Sequence, residues 1–77
     1  MTIYGQWDLL RFLKRLHRDN LSMREMSVEV GRPPSHLYKI TVRLVRHGLL
    51  TRVPVFRKGH RFHLYSVSER AKTDDRI

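Results

Sequence analysis

Between Val30 and Ser68 the chain has no Asp or Glu, yet it carries eight Lys or Arg residues and four His. The cations are Arg32, Lys39, Arg43, Arg46, Arg52, Arg57, Lys58 and Arg61, interleaved with His36, His47, His60 and His63. Guanidinium and ammonium groups without carboxylate neighbours bind oxyanions, and arginine's planar fork of donors suits phosphate. Arg outnumbers Lys twelve to four over the whole chain, a bias that a high-temperature host could also favour. All seven carboxylates (Asp8, Asp19, Glu25, Glu29, Glu69, Asp74, Asp75) lie outside the stretch. A solvated surface normally mixes both signs, so half a chain stripped of one sign implies a field aimed at a polyanion.

Other chemistries are poorly served. The absence of cysteine removes disulfides and Cys-based zinc sites. His60 and His63 are an odd number of residues apart on a strand, so they point to opposite faces and cannot converge on a metal. No carboxylate pair, nucleophile motif or glycine-rich phosphate loop is present, and Asp74 and Asp75 sit in a polar tail. Neither catalysis, a metal, a cofactor nor a small-molecule effector is expected.

The elements that must hold these bases can be read from periodicity. Gln6 to Asp19 reads as a helix with a Leu9, Leu10, Leu13, Leu16 stripe, Phe12 and Trp7 at its margins, and Arg11, Lys14, Arg15 and Arg18 mostly turned away. Such a basic amphipathic helix can lie on a membrane, but a core helix with a solvated back is the preferred reading. Ser22-Met23-Arg24-Glu25 is a capping box, and Leu21 with Met26 has the spacing of a hydrophobic staple. The second helix then runs to about Val30, with Met23, Met26, Val28 and Val30 as its apolar contacts and Gly31 at the left-handed C′ position.

Arg32-Pro33-Pro34-Ser35 turns into a third helix with Pro34 at N1. Leu37, Ile40, Thr41, Leu44 and Val45 form its inner face, closing at Gly48. Ser35, Lys39, Val42, Arg43 and Arg46 fall opposite, flanked by His36 and Tyr38. Thr51 to Arg57 and Arg61 to Val67 read as strands of a hairpin turning at Lys58-Gly59. That turn pairs Arg57 with His60, Val55 with Phe62 and Val53 with Leu64 on a face expected to be apolar at its base and basic at its tip. The other face pairs Phe56 with Arg61, Pro54 with His63 and Arg52 with Tyr65, open to cation–π contacts, and Pro54 marks an edge strand. Ser68 can cap a last short turn, and residues 69–77 form a polar tail expected to fray.

Seventy-seven residues make one domain, here 1–68 with the tail 69–77. A chain this short buries only about 60–65% of its unfolded surface, so its core must hold by packing alone or be completed by a partner chain. Its formal charge of +9 favours anionic partners. No apolar run approaches the roughly 18–20 residues that span a bilayer. The stretch from Met1 to Trp7 lacks the basic flank and apolar centre of a leader, so no membrane association is expected and an intracellular, cytoplasmic location is, nucleoid-associated if DNA-bound.

Helix, capped short helix, tight turn, third helix and hairpin, in that order, resemble a winged helix-turn-helix. The resemblance covers about residues 6 to 68 and is closest from Gly31 to Leu50, where Gly31, the short turn, Leu37, Leu44 and Gly48-Leu49-Leu50 are similar to the recognition-helix segment of bacterial and archaeal winged-helix regulators. Tyr65-Ser66-Val67-Ser68 is similar to the tyrosine-x-aliphatic-threonine sequence that often ends the wing. Thr41 departs from the usual leucine, and Pro33-Pro34 from a serine-rich helix start. The resemblance implies an α+β fold, three helices followed by a two-stranded β-hairpin wing. It also implies double-stranded DNA as partner and a role in transcription regulation; together with the small core it implies a homodimer, for which the first helix and the tail are candidate surfaces. Carried over, Ser35, His36, Tyr38, Lys39, Val42 and Arg43 would face the major groove, Arg57, Lys58, His60 and Arg61 would form the wing tip, and Arg32 and Arg46 would hold phosphate, with Arg24 a further phosphate contact. Two other readings stay open. One is a winged-helix protein-interaction or assembly module using Phe56, Pro54 and Trp7. The other is an RNA- or single-strand-binding module stacking bases on Tyr38, Phe56 and Phe62.

Overall fold

Leucines at helical spacing set the centre of the molecule. The computed structural model describes residues 5–77; residues 1–4, part of the stretch read for a leader, lie outside the described residues. In α1 (Gln6–Leu16), Leu9, Leu10 and Leu13 are buried and Phe12 and Leu16 half-buried, so its apolar stripe faces a protein core. The helix stops three residues before Asp19 because the chain must turn: His17 and Asn20 take left-handed φ values of 53° and 57°. No helix among the described residues is long and apolar enough to cross a membrane.

The turn delivers Leu21 and Ser22 to the sheet as a short strand, β1 (Leu21–Ser22). Helix α2 (Met23–Val30) follows at once, with Ser22 accepting from the Glu25 N–H and Glu25 accepting from the Ser22 N–H, each at 3.1 Å. Leu21 and Met26 are both buried, as a staple requires. Val28 is not a core residue as expected but 75% exposed, since two positions beyond Met26 lie roughly 200° around the helix. Gly31 ends the helix at φ 75°.

In α3 (Pro34–Arg46) the buried face is Leu37, Ile40, Thr41 and Leu44, with Val45 half-buried. Thr41 fits where a leucine is usual because its hydroxyl donates to the Tyr38 carbonyl (2.9 Å), which leaves no unsatisfied polar atom on the hydroxyl's donor side. The helix closes in a Schellman motif: Gly48 at φ 74°, its N–H donating to Val45 and that of Leu49 to Leu44.

Strands β2 (Leu50–Arg57) and β3 (His60–Val67) pair in the register expected from Arg57↔His60 to Arg52↔Tyr65, and the ladder continues beyond the expected start of the first strand to Leu50↔Val67. Lys58 and Gly59 both have positive φ, 51° and 77°, the requirement of a type I′ turn. Two expectations are corrected. The sheet has three strands rather than two, in the order β1-β3-β2, with Leu21 opposite Tyr65 and Ser22 opposite Leu64. The buried end of the hairpin also lies on the other face: Leu50, Tyr65 and Val67 are in the core, while Val53 is 52% exposed and Leu64, Val55 and Phe62 are half-buried. The helical layer covers the face that carries Leu50, which the alternation of the strands alone left undecided. Pro54 does lie on an edge strand.

The tail is docked rather than frayed. Ser68 caps α4 (Glu69–Lys72) through the Ala71 N–H and donates its hydroxyl to the Gly48 carbonyl. Ala71 is fully buried, Ile77 packs on the core, and Lys14 Nζ donates to the Asp74 and Ile77 carbonyls at 2.6 and 3.2 Å. The result is an α+β fold in which α3 packs against α1, α2 and β2, compatible with a winged helix.

Candidate nucleic-acid interface

The basic residues of the acid-free stretch are carried by two elements. On α3, the burial of Leu37, Ile40, Thr41 and Leu44 turns Ser35, His36, Tyr38, Lys39, Arg43 and Arg46 outward; all six are exposed, whereas Val42 is half-buried. Arg43 and Arg46 occupy the last turn, where cations also favour the negative end of the helix dipole. On the hairpin, Arg57, Lys58, His60 and Arg61 are all exposed around the I′ turn, but not on one face: Arg57 and His60 share one side, and Arg61 lies on the other, opposite Phe56. Arg32 is half-buried in the turn between α2 and α3, whose backbone is tied by the Ser27 hydroxyl donating to the Arg32 carbonyl.

The two elements are joined by a groove. Tyr38 of α3, Arg24 and Met23 of α2, and Phe62, His63 and Tyr65 of β3 line one open concavity. Pro33, Ser35, His36, Lys39 and Arg43 line another along α3. Tyr65 is a packing residue, 4% exposed and in tilted ring contact with His63, while Tyr38 is 56% exposed.

Electrostatically the surface is one-signed. Among the described residues the ion pairs lie elsewhere: Arg18 with Glu25 and Glu29, Lys72 with Asp19 and Glu69, and Arg76 with Asp74. Lys39, Arg43, Arg46, Arg57, Lys58 and Arg61 have no carboxylate partner among the described residues, which leaves their donors available to a ligand. Glu25 and Asp74, whose carboxyls are held below the usual range, belong to the α2 cap and the tail.

A second basic concavity escaped the sequence reading. Arg11, His47, Arg70 and Arg76 line it beside Trp7 and Asp74, with Arg76 paired to Asp74 and Arg70 donating to the His47 carbonyl at 3.4 Å. These residues come from α1, the end of α3 and the tail, so no local pattern links them.

Fold and surface together define a small α+β protein presenting a basic helix and a basic hairpin. Neither protein-family models nor curated protein sequences give a match. Among solved structures, the chain is similar to Stf76 from the Sulfolobus islandicus plasmid-virus pSSVx, with a TM-score of 0.66 and 21% identity, over 88% of this chain and 86% of that one. At that identity the likeness shows a shared fold.

Proposed function

We propose that this chain binds double-stranded DNA in a sequence-specific manner as a transcriptional regulator, a binding protein rather than an enzyme. In this reading α3 enters the major groove. Arg43 and Lys39 pair with guanine O6/N7, the exposed edge of Val42 meets a thymine methyl, and Ser35, His36 and Tyr38 line the groove walls. Arg32, Arg46 and Arg24 hold phosphates and set register. The hairpin tip, Arg57, Lys58, His60 and Arg61, reaches phosphate or the adjacent minor groove. The observation that carries the reading is the surface formed by α3 and the hairpin, where exposed cations have no carboxylate partner among the described residues.

The protein acts as a homodimer in this proposal, through α1 and the tail, and works where the DNA is, inside the cell. Selection of bound sites from random duplexes tests it. Enrichment of a palindrome with half-sites about one helical turn apart supports both specificity and dimer symmetry, and no enrichment removes sequence-specific regulation. Binding to duplex DNA should also weaken steeply with salt, with a log–log slope of about −4 to −8 for several phosphate contacts. A slope near zero rules the reading out. The exposure of Trp7 (47%) and Phe56 (74%) favours a second reading as a protein-interaction module, which the selection experiment separates from the first.

A further inference from the structure

One exposed side chain is out of keeping with a hairpin tip built only for phosphate. Phe56 is 74% exposed, on an edge strand, three residues before the Gly59 turn position. Its cross-strand partner is Arg61, and the next pair on the same face is Pro54 with His63. An apolar pair on β2 therefore runs beside a basic pair on β3. This face is the one that at its base carries the buried Leu50, Tyr65 and Val67, so beyond the core it continues into solvent on the side where the helices lie.

Four residues separate the buried Tyr65 from Arg61, which at about 3.4 Å per residue puts the Phe56–Arg61 pair roughly 14 Å along the strands from the last buried side chain on this face. That exceeds the minor groove's depth of about 7.5 Å. Thr41 and the leucines fill the core without Phe56, and the exposed ring lacks a packing role there.

From this we propose that Phe56 is a wedge that enters between two base pairs from the minor groove, with Arg61 beside it on the groove's acceptors or the flanking phosphate, so that binding unstacks one step and bends the duplex. The proposal rests on the duplex-binding reading and extends it to a class of target: sites containing a flexible pyrimidine–purine step where the hairpin lands. Partial insertion of an apolar side chain needs a neighbouring cation to hold the opened backbone and no nearby anion to repel it. Arg61 on the same face and Lys58 at the turn supply the first, and the hairpin, which lies wholly within the acid-free stretch from Val30 to Ser68, meets the second. Flexible steps such as TA unstack most readily, so they should be preferred there without any hydrogen bond to a base.

The full 77-residue chain is tested on a duplex of roughly 30 base pairs, end-labelled for energy transfer and carrying 2-aminopurine at a central TA step. Wild-type binding should raise 2-aminopurine fluorescence and shorten the end-to-end distance, corresponding to a bend of about 20–90°. Phe56→Ala should bind about tenfold more weakly with an unchanged salt slope and lose both signals. Phe56→Leu, still an apolar wedge, should keep them. The residue is exposed, so these variants should melt like the wild type, which circular dichroism verifies.

Duplex binding without unstacking or bending, or a Phe56→Ala variant that bends DNA as well as the wild type, overturns the wedge and leaves the duplex-binding reading standing. Absence of any duplex binding overturns both. A dimer that Phe56→Ala converts to monomer in sedimentation equilibrium assigns the ring to a contact between copies, and the wedge fails.

Discussion

At the scale of single residues, the surface divides its cations by what each can contact. Arg43 stands on the exposed face of α3, where a bidentate guanidinium can read a base edge, whereas Lys58 is a point charge at the hairpin turn. Arg43→Ala should therefore cost about 1–3 kcal/mol of binding and change the preferred sequence, while Lys58→Ala should weaken all duplexes alike. Competition binding against a panel of single-base variants of the selected site separates the two. Ser22 acts on stability instead. Its hydroxyl accepts from Glu25, and its own N–H is held by the Glu25 carboxylate. Ser22→Ala should destabilise the protein by about 1 kcal/mol, measured by urea unfolding, and should leave the α3 surface unchanged.

At the scale of elements, the hairpin carries a local conflict. A type I′ turn needs positive φ at both central residues, and Lys58 takes φ 51° although only Gly and, to a lesser degree, Asn or Asp adopt it readily. Lys58→Asn should raise stability by about 0.5–1 kcal/mol, seen as a higher melting temperature, and at the same time weaken DNA binding. Improved folding with poorer binding would show that the lysine is kept for its charge. If Lys58→Asn lowers the melting temperature, the turn is not limiting in the way its geometry implies. Helix α3 has the complementary arrangement, with its fold demands and its surface demands on opposite faces. Leu37, Ile40, Thr41 and Leu44 serve the core, so its outer residues can change without unfolding the helix.

For the whole molecule, charge and stability are linked through pH. The Asp74 carboxyl is held at about 2 by the Arg76 guanidinium and then its backbone N–H. Glu25 is lowered chiefly by hydrogen bonds from the Ser22 backbone and side chain, with Arg18 adding to it. Both folded-state values lie below those of the unfolded chain, near 4, so their stabilisation is complete above that pH. It is lost as pH falls from about 4 towards 2, where the unfolded chain takes up protons first. Thermal melts should show Tm falling over that window, and Asp74→Asn should flatten the lower part of the fall. A Tm independent of pH between 5 and 2 would show that neither carboxylate matters to the docked tail or the α2 cap.

Much of this was legible in the chain itself, because helix periodicity, capping chemistry and turn residues are local. The Ser22–Glu25 box, the Gly31 and Gly48 stops, Pro34 at N1 and the register from Arg57↔His60 to Val53↔Leu64 each depend on residues a few positions apart. So does the division of α3 into an apolar face and a basic one. Other features required the tertiary structure, because each depends on groups far apart in sequence. Strand β1 exists only because Leu21 meets Tyr65; two residues carry no alternation that could announce it. Alternation defines two faces of a hairpin but not which one a helix will cover, and so Leu50, Tyr65 and Val67 went inside while Val53 stayed exposed. The tail is polar in composition, yet the backbone carbonyls of Asp74 and Ile77 find Lys14, and Ala71 finds the core. The bases are a property of the sequence; their gathering on one helix and one hairpin, with Tyr38 and Phe62 lining a groove between them, is a consequence of packing.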